Sequence, residues 1–119
     1  MSLWKKYKLE VLDPEIAASS TAITQLSATA SYVKQLIITF PSTNVGTLRV
    51  ADTAAKITSG NCLQLLAGQS LTIEVDSALR DEADRWTDLA DVFVQKTTGA
   101  DKIVVAVLRQ QTANSGAVY

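Results

Sequence analysis

Acidic side chains form the one cluster in this sequence that could carry out chemistry. Residues 76–91 contain six carboxylates, which are Asp76, Asp81, Glu82, Asp84, Asp88 and Asp91. Calcium takes about six to eight oxygen ligands, so a loop could bring three of these side chains to one ion. Their spacing differs from the alternating aspartates of calcium-binding loops, and Arg80 and Arg85 lie among them. Salt-bridged surface charge is therefore the simpler interpretation, and a calcium loop is the alternative.

Covalent and acid–base catalysis lack their usual groups. The chain has no histidine and one cysteine, Cys62, which excludes Ser-His and Cys-His pairs and an intramolecular disulfide. The glycines are scattered at turns and form no phosphate-binding loop. Two carboxylates could still meet in space for glycoside hydrolysis. The sequence predicts a non-enzymatic protein without a cofactor, metal or small-molecule substrate, in which Cys62 is a small buried apolar residue.

Length and composition indicate one globular domain over residues 1–119. Apolar residues make up 47% of the chain and charged residues 19%, a balance typical of a packed core. The net charge of −1 argues against a nucleic-acid partner, which requires a basic surface. No apolar run approaches the roughly 18 residues of a membrane span, and residues 1–12 are too polar for a signal peptide. The absence of disulfides fits assembly in a reducing cytoplasm.

Alternating apolar residues within residues 44–75 predict the central strands. These strands cover residues 48–50, 62–66 and 71–75. Two turns separate them: Ser59-Gly60-Asn61, which favours a residue tolerant of positive φ, and Ala67-Gly68-Gln69. Residues 48–50 and 71–75 alternate between apolar and polar side chains, which is typical of a sheet packed on one side, whereas residues 62–66 are a short apolar run.

The rest of the chain adds strands, a loop and one insertion. Further strands are predicted over residues 4–12, 32–40, 91–97 and 102–110. Residues 15–30 predict a loop with a short strand near 22–26, and residues 76–87 predict a short helix outside the sheets. A hairpin loop at 98–101 is expected to hold Gly99 at positive φ, and residues 111–119 predict an extended tail. The fold class is all-β: a small antiparallel β-sandwich or jelly-roll-like domain with one short helical or loop insertion.

Three predicted strands carry apolar residues on both faces. A strand with one face in water should alternate, so the second face is expected to be covered. Residues 15–30 or 76–87 could cover it within the chain; otherwise a second copy in a homo-oligomer or another protein does. Trp4 joins this candidate interface from the lysine-bearing face of the first strand. The candidate assembly interface comprises Ile37, Phe93, Val104, Ala106, Leu108 and Trp4.

Four segments between residues 48 and 94 carry a resemblance to a known family. They are Leu-Arg-Val at 48–50, Ile-Thr-Ser-Gly-Asn at 57–61, Leu-Gln-Leu-Leu-Ala-Gly-Gln-Ser-Leu-Thr-Ile at 63–73 and Asp-Leu-Ala-Asp-Val-Phe-Val at 88–94. Together they resemble small virion structural proteins of tailed bacteriophages, over roughly residues 33–108. The resemblance implies a capsid decoration, cement or tail-accessory protein located in the virion, whose partners are the major capsid protein or other virion proteins.

A carbohydrate- or cell-surface-binding β-sandwich module of a tail or fibre is the alternative function. Its sugar-binding shelf would consist of Trp4, Tyr7, Trp86 and Phe93. Scattered aromatic residues in a small β domain more often fill the core or an interface. The sequence therefore favours a structural protein over this module.

Overall fold

Short antiparallel strands make up most of the computed structural model, which describes residues 6–12, 20–74 and 87–111. The strands are β1 (Lys6–Leu12), β2 (Thr24–Gln25), β3 (Tyr32–Val33), β4 (Gln35–Thr39), β5 (Thr47–Ala51), β6 (Leu63–Leu66), β7 (Ser70–Glu74), β8 (Thr87–Asp88), β9 (Phe93–Lys96) and β10 (Val104–Gln111). One helix, α1 (Ala54–Ser59), and a 3-10 turn (Leu89–Asp91) complete the elements within these ranges.

The strands form two four-stranded sheets with jelly-roll connectivity. Sheet I has the order β1-β10-β4-β7 and sheet II the order β2-β9-β5-β6, while β3 and β8 form a separate two-stranded ladder. All pairings are antiparallel. Apart from the β5–β6 hairpin, the chain changes sheet between successive strands of these eight. This alternation is the double-sheet jelly roll, and it confirms the predicted fold class.

The core lies between the two sheets and follows directly from alternation. Leu36 and Ile38 of β4 are fully buried, as are Leu48 of β5 and Val94 of β9, and all four belong to one apolar cluster. Complete burial of an aliphatic side chain stabilises the fold by about 1.5–3 kcal/mol. The period-2 pattern therefore fixes which face of each central strand points inward.

The predicted strand over residues 32–40 is interrupted at Lys34. The backbone N–H of Lys34 donates to the carbonyl of Leu108 at 2.8 Å, and Gln35 already pairs with Leu108 in the ladder. Two residues thus oppose one, which is a β-bulge. Strict alternation predicts that Val33 shares the outward face of Ile37, but the bulge turns Val33 into the core, where it is fully buried.

Helix α1 is absent from the sequence-based prediction, although its caps are present in the sequence. The Thr53 hydroxyl accepts a hydrogen bond from the backbone N–H of Lys56 at 3.2 Å, and Gly60 ends the helix at φ 83°. Six residues are too few to show a helical apolar period. The helical insertion predicted at residues 76–87 lies outside the described residues except for Thr87, which belongs to β8.

Positive φ is predicted for Gly60 and Gly99, and the structure has it at Gly60 and at Gly68. Gly60 and Gly68 have φ of 83° and 88°, whereas Gly99 is not among the positive-φ glycines. The hairpin loop at 98–101 closes instead through a hydrogen bond from the Asp101 N–H to the Thr98 carbonyl at 3.1 Å, and its turn needs no left-handed residue. β10 reaches Gln111, the first residue of the predicted tail, and residues 112–119 lie outside the described ranges.

Two polar side chains clamp the loops at one end of the sandwich. The Asp101 carboxylate accepts hydrogen bonds from the backbone N–H groups of Val45 at 3.0 Å and Gly46 at 2.8 Å. The Asn44 amide accepts from the Lys102 N–H at 3.0 Å and donates to the Lys102 carbonyl at 2.7 Å. Asn44 and Asp101 are both buried, so this loop clamp, Asn44 with Asp101, joins the β4–β5 loop to the β9–β10 loop.

Candidate assembly surface

The face of sheet I that points away from the core is largely apolar. Residues directly opposite in an antiparallel ladder share a face, and the register pairs Leu9 with Leu108 and Ala106 with both Val11 and Ile37. We call this surface the outer apolar face. It consists of Tyr7, Leu9, Val11, Ile37, Val104, Ala106 and Leu108.

The outer apolar face is exposed where β1 and β10 contribute most to it. Leu9 is 63% exposed, Val11 65% and Val104 42%, while Ile37 and Leu108 are half-buried by their neighbours. Scattered exposed apolar residues are ordinary on a protein surface, but these side chains are contiguous through the ladder register. A contiguous apolar patch of this kind marks an interaction site in soluble proteins.

Charge is nearly absent from the same face. Beyond the apolar set, β4 and β7 contribute Gln35, Thr39, Ser70, Thr72 and Glu74 to it. Glu74 is the one ionisable acid or base among the described outward positions of β4, β7 and β10 up to Leu108. Depletion of charge at the centre with a polar rim is the composition of protein–protein interfaces.

The structure brings together four of the six residues predicted for the interface. Val104, Ala106, Leu108 and Ile37 share the outer apolar face, whereas Phe93 lies on sheet II, paired with Ala51. Trp4 lies outside the described residues. Phe93 is half-buried, and helix α1 packs against β9, the strand that carries it. Helix α1 thus packs on the sheet that carries Phe93, and Phe93 belongs to a different surface from the outer apolar face.

Sequence reasoning left Leu9 and Val11 out of the interface. Their alternation with Lys8 and Glu10 is visible in the sequence, but it does not show which face a second sheet covers. Lys8 and Glu10 are exposed, and the Arg109 guanidinium bonds Glu10 at 3.2 Å. The core-side face of β1 is thus polar at Lys8 and Glu10, with Leu12 alone among the described β1 side chains packed against the core. Leu9 and Val11 point outward.

The acidic cluster has a structural role where it can be described. Asp88 Oδ1 accepts hydrogen bonds from the backbone N–H groups of Ala90 at 3.0 Å and Ser31 at 2.9 Å. This caps the 3-10 turn and anchors it to the segment before β3. Asp91 is exposed, and the other four acids lie outside the described residues. In the described part of the chain, no three acidic or cysteine side chains are grouped as a metal site requires.

A cleft of about 380 Å³ lies beside the edge strands β6 and β7. Its wall includes Leu63, Leu71 and Ile73, and Asp52 and Lys56 line it as well. Cys62 also lines this cleft and is half-buried, so the prediction of a buried cysteine is wrong. Cys62 follows the turn after α1 at the start of an edge strand, where the sandwich covers it on one side only.

A Lys56→Met variant is expected to raise the pKa of the Asp52 carboxyl towards its ordinary value. The Lys56 ammonium donates to Asp52 Oδ2 at 3.1 Å, and this hydrogen bond holds the pKa of Asp52 below its usual range. Because the folded-state pKa is lowered, the stabilisation is present above the unfolded pKa and is lost as pH falls through the folded pKa. Carboxyl-carbon NMR titration of both proteins measures the midpoint. A Lys102→Met control should leave it unchanged, and an unchanged midpoint in Lys56→Met contradicts the assignment.

Within the described ranges, no helix reaches the length and apolarity that a bilayer span requires. Comparisons with protein-family models, with curated proteins and with solved structures found no match for this chain.

Proposed function

We propose that this protein is a non-enzymatic structural protein of a phage virion, a capsid decoration or cement protein that binds the outer shell through the outer apolar face. The observation that carries the proposal is the exposure of Leu9, Val11 and Val104 on one nearly uncharged sheet face. Such a face gains free energy when a partner covers it, at about 25 cal/mol for each Å² of apolar surface removed from water.

The jelly-roll fold supports this proposal without establishing it. Double-sheet jelly rolls are common in viral capsid and lectin domains, and a fold by itself does not determine function. Of these two kinds of domain, the resemblance of residues 48–94 to phage virion proteins favours the capsid protein. The surface chemistry agrees with this choice, because a sugar site needs convergent polar groups, whereas the exposed centre of this face is aliphatic.

Co-sedimentation with phage heads tests the proposal. Heads are purified from the phage that encodes the protein and stripped of accessory proteins, and the labelled protein is added over a concentration series. We expect saturable binding at a fixed number of copies per head, with little change between low and high salt, because the contact surface carries little charge. Serum albumin at the same concentration serves as the control for trapping.

Two outcomes would contradict the proposal. One is a failure to sediment with heads at any concentration. The other is an increase in melting temperature with a panel of bacterial surface glycans in the absence of shell binding, since ligand binding stabilises the folded state. The second outcome would assign the protein to the carbohydrate-binding alternative.

A further inference from the structure

Strand β1 lies at an edge of sheet I and pairs on one side only within the described residues. Edge strands present unpaired backbone N–H and C=O groups, and proteins commonly blunt them with charged residues, proline or bulges. β1 has seven residues, and its exposed residues include two apolar side chains, Leu9 and Val11. This edge is therefore long enough to accept another strand.

The hydrogen-bond pattern shows which residues of β1 present their backbone to the free edge. The Leu108 carbonyl accepts from the Lys34 N–H, so Leu108 directs its backbone groups towards β4 and away from β1. Leu9 stands opposite Leu108, so this is a pair without mutual hydrogen bonds. Leu9 consequently directs its own N–H and C=O towards the free edge, and Tyr7 and Val11 do the same because the direction alternates along a strand.

We propose that two copies of this chain pair through the free edge of β1 into one continuous eight-stranded sheet, with Leu9 opposite the partner's Leu9. The two-fold axis passes through this pair, which makes the contact isologous. Tyr7 then stands opposite the partner's Val11. The pairs at Tyr7, Leu9 and Val11 each exchange two backbone hydrogen bonds, about six in all.

Charge selects this register over its neighbours. With Leu9 on the axis, Lys8 stands opposite the partner's Glu10, and the same contact occurs twice. Shifting the axis to Lys8 keeps two opposite-charge pairs, Glu10 with the partner's Lys6, but adds two lysines directly opposite on the axis. Shifting it to Glu10 places two glutamates opposite, and like charges in such positions are destabilising. The side chains of Lys8 and Glu10 are exposed. Glu10 bonds Arg109 of its own sheet through Oε1 at 3.2 Å, and a carboxylate can accept from a second cation across the edge. A lone lysine discourages edge pairing, but in this register a carboxylate meets it.

The dimer does not depend on the proposed virion role, and it leaves the outer apolar face open. In the paired sheet, the outer apolar faces of the two copies lie side by side and form one surface of doubled area. A single strand pairing buries less than about 1,200 Å², so we expect an association that varies with concentration in the micromolar range.

Charge reversal on β1 tests the register. Lys8→Glu places two carboxylates at each contact and Glu10→Lys places two ammonium groups there. Each variant alone should raise the dimer dissociation constant about tenfold or more, measured by sedimentation equilibrium from about 1 µM to 1 mM. An equimolar mixture of the two variants should associate as well as the wild type, because each contact then holds opposite charges. Circular dichroism confirms that both variants are folded.

A second variant tests the hydrogen bonds without changing charge. Leu9→Pro removes an N–H that points to the free edge and that the β10 pairing does not use, so it should abolish the dimer and keep the monomer folded. In the wild type, amide exchange at Tyr7, Leu9 and Val11 should slow as concentration rises. The proposal is overturned if the wild type stays monomeric throughout the range, or if Leu9→Pro or the charge variants dimerise unchanged. These experiments use the purified protein without phage heads, so their outcomes are independent of shell binding.

Discussion

An Asp101→Ala variant is expected to lose about 3 kcal/mol of its free energy of unfolding, which corresponds to a fall in melting temperature of roughly 10 °C. The Asp101 carboxylate accepts two hydrogen bonds from backbone N–H groups, at Val45 and Gly46, and is 5% exposed. Alanine leaves both N–H groups without their acceptor. Hydrogen bonds to a charged group contribute about 1.5–3 kcal/mol each, and relief from burying the charge offsets part of the loss.

The surroundings of Asp101 allow little adjustment after the substitution. A Cβ atom on Gly46 would lie 2.6 Å from Thr97 Oγ1 and 3.0 Å from Asp101 Oδ2, which shows how closely the two loops approach. The Lys96 ammonium donates to the Asp101 carbonyl at 3.0 Å and the Gly99 carbonyl at 2.8 Å. These bonds hold the β9–β10 loop in place, so it cannot easily move to supply another acceptor.

Urea unfolding followed by circular dichroism measures the effect of Asp101→Ala. Asp101→Asn is the second variant: its carbonyl oxygen can accept from one N–H group, but its NH2 group cannot accept from the other, so it should cost at least about half as much. Asp91→Ala is the control, since Asp91 is exposed and a surface substitution should change stability by no more than about 0.5 kcal/mol. Equal stability of Asp101→Ala and Asp91→Ala would show that the loop clamp does not stabilise the fold.

The central strands could be predicted from sequence because their signal is local. In β4 and β10 each residue's face follows from its neighbours two positions away, so Leu36 and Val107 are assigned correctly without knowledge of the partner strand. The loop clamp could not be found in this way. Asn44 and Asp101 look like ordinary turn residues, and their hydrogen bonds join positions separated by more than fifty residues.

The outer apolar face was predictable only in part for the same reason. Val104, Ala106 and Leu108 reveal it, because β10 is apolar on both faces. Leu9 and Val11 alternate with charged residues, which normally predicts that the apolar side faces the core. Their outward position depends on the pairing of β1 with β10, about a hundred positions away in sequence, and on which face of sheet I packs against sheet II. Neither can be inferred from the residues that neighbour Leu9 and Val11 in sequence.

Val104→Asp is expected to weaken shell binding by at least about a hundredfold while changing the melting temperature by no more than a few degrees. Val104 is 42% exposed on the outer apolar face, so an aspartate there remains hydrated in the free protein. Binding would bury this carboxylate against an apolar surface without a partner charge, which costs several kcal/mol. Each 1.4 kcal/mol or so weakens binding tenfold.

A matched control comes from the opposite sheet. Leu66 is 54% exposed and pairs with Thr47 at the edge of sheet II, so Leu66→Asp makes a similar change of chemistry in a strand at similar exposure. It should leave binding to heads unchanged, and any loss of strand propensity should be common to both variants. Co-sedimentation isotherms for the two variants and the wild type measure the difference.

The variants also distinguish the outer apolar face, proposed to bind the shell, from the edge of β1, proposed to form the dimer. Val104 is on β10, away from the free edge of β1, so Val104→Asp should bind heads poorly and dimerise normally. Lys8→Glu should dimerise poorly and still bind heads through the exposed apolar side chains. Its affinity should be that of a monomer, because a dimer binds through two outer apolar faces at once. If Leu66→Asp loses binding as fully as Val104→Asp, or if Val104→Asp binds as tightly as the wild type, the outer apolar face is not the surface that meets the shell.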